Sequence, residues 1–184
     1  ELQQQFAALK VIVGKTAGPR ELEAFAVLED HVGLALERPT RVELTTGARL
    51  HFGLLAHGRD AARQFGGAGV MLETPAVRLA GEPAEHDEVL GEGPAADRAS
   101  QFLFQIRESF PPRNNACRLS VEEAIPSHTG LGSGTQLGLA VARVLAQVDG
   151  QQPAAVALAE RVGRGARSGI GIHGFDVGGF LVDA

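Results

Sequence analysis

The sequence predicts an α+β domain, in which short strands and amphipathic helices share one chain. The chain has 184 residues, of which 44% are hydrophobic and 21% are charged. This suffices for one globular domain, or for one domain with an appendage. Residues 117–121 alternate between apolar and polar side chains as in a half-buried strand, whereas residues 137–148 follow the 3.6-residue period of a helix. A glycine-rich loop joins these two segments, which gives the order strand, loop, helix.

The composition argues against several classes of protein. An ordinary apolar content and a net charge of only −5 argue against disorder, and no run approaches the roughly 18 apolar residues that span a membrane. The single cysteine, Cys117, excludes an intramolecular disulfide framework and a cysteine-rich zinc site. The acidic balance and the absence of Trp and Tyr argue against nucleic-acid binding. We therefore expect a cytoplasmic protein with no nucleic-acid and no membrane partner.

Residues 1–40 are predicted to form a helical extension of unknown role, and residues 41–184 to form the domain. Leu2, Phe6 and Leu9 recur at the spacing of a helical face, and prolines bound a second helical segment. The sequence begins at Glu1 rather than Met and ends just after a strand-like run, so we expect it to be a piece of a longer chain.

The domain is predicted to contain several short strands and three helices. Alternating apolar residues predict strands, apolar faces at helical spacing predict helices, and clusters of Gly, Pro and acidic residues predict turns and loops. The predicted strands are residues 42–46, 50–55, 70–72, 77–80, 117–121 and 179–183, and the predicted helices are 99–110, 137–148 and 153–162. Residues 66–69 are predicted to be a flexible turn, residues 81–94 a surface loop, and residues 163–174 a tail rich in glycine and arginine.

The most informative segment is the loop in which glycines alternate at positions 130, 132 and 134. Glycine allows a positive φ and a close approach of a ligand to the backbone, and the helix that follows adds partial positive charge at its N-terminus. No lysine follows the glycines, so the segment is not a P-loop. The alternative is a plain glycine-rich connection that caps the helix. The predicted phosphate-binding residues are Gly130, Leu131, Gly132, Ser133, Gly134 and Thr135, and the hydroxyls of Ser133 and Thr135 could also help to hold magnesium.

The glycine- and arginine-rich tail could supply further anion-binding groups. Arg164 and Arg167 stand among glycines beside Ser168, and a guanidinium can bind a phosphate or a carboxylate with two hydrogen bonds. The alternative is a solvated turn. Asp176, in the same stretch, could orient a substrate or a metal, or could be a turn residue.

Arg49 and His51 occupy alternate positions of a short predicted strand, so both point to the same face. A basic pair on one face could bind an anionic substrate. His51 could equally be a hydrogen-bonded histidine of the core.

Taken in order, these segments resemble the N-terminal domain of the GHMP superfamily of small-molecule kinases. The resemblance rests on Pro126 followed by the loop GLGSGT, and on Ser168-Gly169-Ile170 followed by Gly178-Gly179. Within the superfamily the sequence is most similar to the β-ribofuranosylaminobenzene 5′-phosphate synthase family. Four stretches carry that similarity in order between residues 41 and 184: ARLHFGL, FGGAGVMLE, GLGSGTQLGLAV and GRGARSGIGIHGFDVGGFLVD.

The resemblance implies a two-layer, ribosomal-protein-like βαβ fold, in which a mixed, mainly antiparallel sheet carries helices on one side. It also implies a C-terminal domain beyond Ala184, with the active site between the two domains, so that this piece alone could be inactive. The implied reaction belongs to tetrahydromethanopterin biosynthesis and one-carbon metabolism. It joins phosphoribosyl pyrophosphate to a 4-aminobenzoate-type acid and releases CO₂ and pyrophosphate. Magnesium is the implied cofactor, and the oligomeric state is left open, a homodimer included.

The sequence departs from the kinase pattern in two places. Kinases of the superfamily often carry an aspartate, as catalytic base, directly after Ser-Gly-Ile, where this sequence has Gly171. The second serine of the kinase loop is replaced by Gly134 and the alanine after it by Thr135. Such a loop suits a polyphosphate better than it suits the activation of a hydroxyl for attack on ATP. The synthase is therefore favoured over an ATP-dependent kinase or a non-catalytic ligand-binding module.

The implied mechanism gives roles to a few side chains. Arg49, Arg164 and Arg167 are candidates to bind the 5′-phosphate and the carboxylate of the acid. His51 or Asp176 could stabilise charge during the reaction. The candidate catalytic residues are therefore Arg49, His51 and Asp176.

Overall fold

The computed structural model describes residues 40–56, 66–110, 116–164 and 169–183. Apart from residue 40, the predicted helical extension lies outside these ranges. Within them the chain forms five strands and four helices, numbered here in chain order. The strands are β1 (Val42–Ala56), β2 (Gly66–Ala84), β3 (Glu88–Leu90), β4 (Ala116–Glu123) and β5 (Phe180–Asp183). The helices are α1 (Pro94–Ser109), α2 (Ser133–Val148), α3 (Ala155–Arg161) and α4 (Ile170–Val177).

The strands form one mixed sheet in the order β1-β2-β4-β3, with β5 also paired to β2. The long strand β2 pairs with two strands along one edge: residues 67–70 pair with β5, and residues 78–84 pair with β4. Strand β1 runs along its other edge. The pairing of β3 with β4 is parallel and the others are antiparallel. The predicted mixed, mainly antiparallel sheet is thereby confirmed.

The helices pack on one face of the sheet, with α2 at the centre of the core. Val77 and Leu79 of β2 are buried towards α2, whereas the intervening Arg78 is exposed. Helix α2 packs against both β1 and β2, and burial of each large aliphatic side chain contributes roughly 1.5–3 kcal/mol. Its fully buried aliphatic residues include Leu139, Val141, Val144 and Val148. The helix that follows the glycine loop is therefore firmly anchored. None of the described helices combines the length and apolar character that crossing a membrane requires.

The predicted turn at residues 66–69 is wrong, because these residues begin strand β2. Gly67 and Gly69 pair with β1 on one edge and with β5 on the other. A Cβ on Gly69 would lie 2.7 Å from Cγ2 of Ile170. The missing side chain therefore lets α4 pack directly on the strand, and tertiary contact overrides the local preference of glycine for turns.

The predicted surface loop at residues 81–94 is also wrong in part, since β2 continues to residue 84 and β3 follows. Two acidic side chains of this stretch, Glu82 and Glu88, have a cross-strand partner on β4. The guanidinium of Arg118 contacts Glu82 Oε1 at 3.0 Å and Glu88 Oε1 at 2.6 Å. The strands predicted at 42–46 and 50–55 are parts of β1, and those at 70–72 and 77–80 are parts of β2.

Cys117 gives a testable property of the core. The residue is fully buried on β4, and burial raises the pKa of its thiol from 9.0 to about 11. Because the thiolate is the reactive form, we expect iodoacetamide at pH 8 to alkylate the native protein roughly tenfold or more slowly than the urea-unfolded protein. Unfolding lowers the thiol pKa, so stability is expected to fall as the pH rises from about 9 towards 11. Equal alkylation rates in the two states would contradict this burial.

Candidate functional site

The glycine loop connects the end of β4 to the start of α2. Gly130 and Gly132 have φ angles of 79° and 76°, in the left-handed region that glycine adopts without steric cost. The carbonyl oxygen of Gly132 accepts hydrogen bonds from the N–H groups of Thr135 and Gln136, each at 3.0 Å. Helix α2 therefore begins at Ser133, directly after the loop. The first N–H groups of α2 and its positive dipole end lie at the loop, as an anion site requires.

Arg49 lies in a slot between the glycine loop and α4. Its backbone N–H donates to Leu131 O at 3.0 Å, which joins β1 to the loop. A Cβ built on Gly132 would lie 2.7 Å from Arg49 Cγ, and one on Gly171 would lie 3.0 Å from Arg49 Cδ. The arginine stem thus occupies the space that a side chain at either position would need. We call this space, between Gly132 and Gly171, the Arg49 slot.

The Arg49 guanidinium has no ion-pair or hydrogen-bond partner among the residues that the structure describes. Partial burial lowers the pKa of this guanidinium from its ordinary value, although arginine stays protonated in proteins at neutral pH. A half-buried charge without a partner is unfavourable. The position is therefore suited to a ligand that brings a negative charge.

A cleft of about 580 Å³ lies beside the loop, and Arg49 is not among the residues that line it. The first residues of two helices line it, namely Pro94 and Ala95 of α1, and Ser133 and Gly134 of α2. Its remaining lining residues are Val77, Arg98, Ala124, Ile125, Ser127, His128, Leu137 and Arg164. These include two arginines and no carboxylate, so the cleft is electrostatically suited to a polyanion.

Arg164 stands at the border between the cleft and the loop. One guanidinium nitrogen, Nη2, would lie 3.4 Å from a Cβ on Gly134, and the group stacks on the Phe102 ring at 5.8 Å. Its Nε is buried without a hydrogen-bond partner in the described part of the chain. Burial, and then the nearby charge of Arg98, lower the pKa of the Arg164 guanidinium. Both effects favour an anion that would neutralise the pair.

Replacing Arg164 by methionine should weaken the binding of inorganic pyrophosphate. Loss of one charge-assisted contact in a partly buried site corresponds to roughly a tenfold rise in the dissociation constant. Isothermal titration calorimetry measures the dissociation constant of pyrophosphate directly. Arg161→Met is the matched control, since Arg161 stacks on the Phe110 ring at 4.7 Å and does not line the cleft. Equal affinities of the two variants would contradict a role of Arg164 in the cleft.

The structure places the other predicted residues differently. The side chain of His51 is half-buried, and its Nδ1 accepts a hydrogen bond from Gly53 N at 3.1 Å. Asp176 contacts Arg143 Nη2 at 2.5 Å through one oxygen and accepts from Ala155 N at 2.9 Å through the other. The geometry of Asp176 thus favours a structural role at the start of α3. Arg167 and Ser168 lie outside the described residues.

Within the described part of the chain, few side chains are suited to hold the predicted magnesium ion. No group of three or more His, Cys, Asp or Glu side chains that could hold a metal occurs in the described ranges. Ser133 is among the residues that line the cleft, whereas Thr135 is not. Mg²⁺ also takes phosphate and water oxygens as ligands, which a bound substrate and solvent would supply. The magnesium ion stays a prediction, and so does its assignment to Ser133 and Thr135.

Sequence reasoning missed three residues at the site. Arg98 reaches the cleft from the start of α1, and Gln136 is buried behind the loop. His128 lines the cleft and adopts a φ of 61°, which is uncommon for a residue other than glycine. For Gln136 the sequence offered one signal, a polar residue beside the apolar face of the predicted helix. For Arg98 and His128 it offered none, because their positions depend on tertiary packing.

Comparison with known proteins identifies similar sequences and a similar fold. Residues 97–183 match the family described as GHMP kinases N terminal domain. The chain is 30% identical over 152 residues to a beta-ribofuranosylphenol 5'-phosphate synthase of Methanocaldococcus jannaschii, which covers 76% of this chain and 46% of that protein. It is 35% identical over 148 residues to a protein of the same name from Methanothermobacter thermautotrophicus. This match covers 77% of this chain and 45% of that protein.

Among solved structures, homoserine kinase from Cytophaga hutchinsonii has a similar fold, with a TM-score of 0.54 at 13% sequence identity. The match covers 80% of this chain and 49% of the kinase. The chain thus spans less than half the length of the curated relatives it matches.

Proposed function

Because this chain carries a GHMP kinase N-terminal domain and is related to beta-ribofuranosylphenol 5'-phosphate synthases, we propose that it is part of a phosphoribosyl-transferring synthase. The predicted family resemblance and fold are confirmed by these relationships. The proposed substrates are phosphoribosyl pyrophosphate and a benzoic acid with an amino or a hydroxyl group at the para position. The relatives' name contains a phenol, whereas the sequence resemblance suggested an aminobenzene. Tetrahydromethanopterin biosynthesis is the proposed pathway.

The observation that carries the proposal is the Arg49 slot. Where the resemblance leads one to expect a catalytic aspartate in a kinase, the chain has Gly171, and the space beside it holds Arg49. A Cβ at this position would lie 3.1 Å from Arg49 Nε. The site therefore offers a cation where a kinase has a base. A cation can bind a phosphate, but it cannot remove a proton from an attacking hydroxyl.

Two cationic regions flank the glycine loop, and phosphoribosyl pyrophosphate has anions at both ends. We assign its pyrophosphate to the loop and cleft, near Arg164, and its 5′-phosphate to Arg49. A cation held against the carboxylate of the acid would stabilise the ground state and oppose the loss of CO₂. Arg49 is therefore better suited to the 5′-phosphate than to the carboxylate.

In the proposed reaction two groups leave in turn, first pyrophosphate from the ribose and then CO₂ from the aromatic ring. The ring carbon that bears the carboxylate attacks C1 of the ribose, while the bond from C1 to the pyrophosphate oxygen breaks. The helix N-terminus at Ser133 and the Arg164 guanidinium stabilise the charge that develops on the departing pyrophosphate. The bond between the ring carbon and the carboxylate then breaks and CO₂ leaves. The electron pair of that bond stays with the ring and restores its aromaticity.

Product identity distinguishes this function from phosphorylation. The full-length protein would be incubated with phosphoribosyl pyrophosphate, magnesium and 4-aminobenzoate or 4-hydroxybenzoate, and ³¹P NMR would follow the release of pyrophosphate. A parallel reaction would contain ATP and candidate alcohols. We expect pyrophosphate release that requires the aromatic acid. Formation of ADP would instead establish a kinase, and absence of turnover with ligand binding would favour a non-catalytic module.

A further inference from the structure

A buried amide side chain lies where three elements meet behind the glycine loop. Gln136, in the first turn of α2, is 0% exposed. Its Oε1 accepts a hydrogen bond from Thr46 Oγ1 of β1 at 2.8 Å, and its Nε2 donates to Gly171 O of α4 at 2.8 Å. A buried amide is costly unless both of its ends are hydrogen-bonded. An apolar side chain of similar size would fill this place without such partners, so the choice of glutamine calls for a specific reason.

Gln136 holds both walls of the Arg49 slot. Its backbone N–H donates to Gly132 O at 3.0 Å, and its side chain donates to Gly171 O. These are the two glycines between which the arginine stem lies. One residue thus fixes the separation between the loop and α4, and with it the space that Arg49 occupies.

We propose that Gln136 is a positioning residue that holds the Arg49 guanidinium in place for the 5′-phosphate of the donor. This inference rests on the proposed function and names a determinant of the same site. Gln136 acts through Gly171 and Arg49, and its side chain is buried away from the cleft. The neutral amide supplies one acceptor and one donor here without adding a charge beside the arginine.

The charge of the side chain provides the sharpest test. A carboxylate in Gln136→Glu keeps the acceptor for Thr46 but loses the donor to Gly171 O. A Cβ on Gly171 would lie 3.1 Å from Arg49 Nε and 3.3 Å from Gln136 Nε2, so these two nitrogens face the same small volume. The carboxylate would therefore attract Arg49 away from the substrate. The protonated acid has an O–H that can donate to Gly171 O, which restores a neutral network.

Calorimetric titration of the full-length protein with ribose 5-phosphate and, separately, with inorganic pyrophosphate tests the proposal between pH 5.5 and 8.5. For ribose 5-phosphate, we expect the variant's dissociation constant to exceed the wild-type value roughly tenfold or more at pH 8, where the introduced side chain is ionised, and to approach it at a pH low enough to protonate that side chain. For pyrophosphate the ratio of the variant to the wild-type dissociation constant should stay within about threefold. A ribose 5-phosphate ratio that stays within about twofold at pH 8, or equal losses for both ligands, would reduce Gln136 to a structural residue and overturn the proposal.

Two further variants cover the case of a folding defect. Thr46→Val removes the other partner of the amide, and should lower the melting temperature without a pH-dependent change in affinity. Gln136→Leu should weaken ribose 5-phosphate roughly tenfold in the presence of Arg49, but less than about twofold in an Arg49→Met background. Equal factors in the two backgrounds would overturn the proposal, as would a wild-type protein that does not bind ribose 5-phosphate. Turnover is measured separately. If Gln136→Leu and Arg49→Met are coupled in their effect on ribose 5-phosphate binding but the protein has no synthase activity, the proposed reaction is refuted and the positioning role of Gln136 remains.

Discussion

Replacing Arg49 by methionine should lower kcat/KM for phosphoribosyl pyrophosphate by roughly 10²- to 10³-fold, which corresponds to about 3–4 kcal/mol of lost transition-state stabilisation. The guanidinium is half-buried and has no partner in the described part of the chain, so the substrate's phosphate would be its counter-ion. Methionine retains much of the stem that packs against Gly132 and Gly171. The loss should therefore reflect the charge rather than the packing, and initial rates at varied donor concentration measure it.

Two comparisons separate this result from a general defect. Arg49→Lys keeps the charge but not the planar fork, and should retain an intermediate activity. Arg41→Met removes an exposed arginine that pairs with Glu43 and Glu122, and should leave the rate within about twofold, because surface pairs contribute little. An Arg49→Met variant with activity near that of wild type would remove Arg49 from the site.

Gly132→Ala should abolish most of the activity, whereas Gly130→Ala should retain most of it. Both glycines have left-handed φ angles, 76° and 79°, so alanine costs about 1–2 kcal/mol of conformational strain at either position. Only at residue 132 would the new Cβ lie 2.7 Å from Arg49 Cγ and 2.9 Å from Arg49 Nε. The arginine stem would have to move, and the guanidinium would leave its position.

The two variants form a matched pair for this reason. We expect the free energies of unfolding, from urea denaturation, to differ only by the cost of moving the Arg49 stem, and kcat/KM to differ roughly 30-fold or more. If both variants lost activity to the same extent, the loop itself rather than the Arg49 slot would account for the effect. If Gly132→Ala were less stable than Gly130→Ala, its affinity for ribose 5-phosphate, measured at a temperature at which both variants are folded, would still distinguish the two explanations.

Much of the fold is encoded in local patterns. The helical period of residues 137–148 and the alternation of residues 117–121 predict α2 and β4, and both are confirmed. Helix α4 was missed, because its glycines favour other conformations. It is held by long-range contacts instead, since Gly169 N donates to Asp183 Oδ2 at 2.7 Å and Ile170 is fully buried. Pairing and packing of this kind have no local signature.

The candidate site was predictable to the extent that its chemistry lies in one segment. The glycine loop and the place of Arg49 on a strand follow from motif and alternation. The Arg49 slot cannot be predicted in this way, because Gly171 lies beside Arg49 only when α4 packs on β1 and β2. Asp176 was a reasonable candidate by residue type, yet its carboxylate is engaged by Arg143 and by the backbone of Ala155. Residue type identifies candidates, and the tertiary structure decides which of them are available.

Release of labelled CO₂ tests the central claim most directly. The full-length protein would be supplied with magnesium, phosphoribosyl pyrophosphate and either 4-aminobenzoate or 4-hydroxybenzoate carrying ¹⁴C in the carboxyl group. The account predicts labelled CO₂ that depends on the phosphoribosyl donor, is not supported by ATP, and is lost in Arg49→Met. No release with either acid, in a protein that forms ADP from ATP and an alcohol, would contradict it.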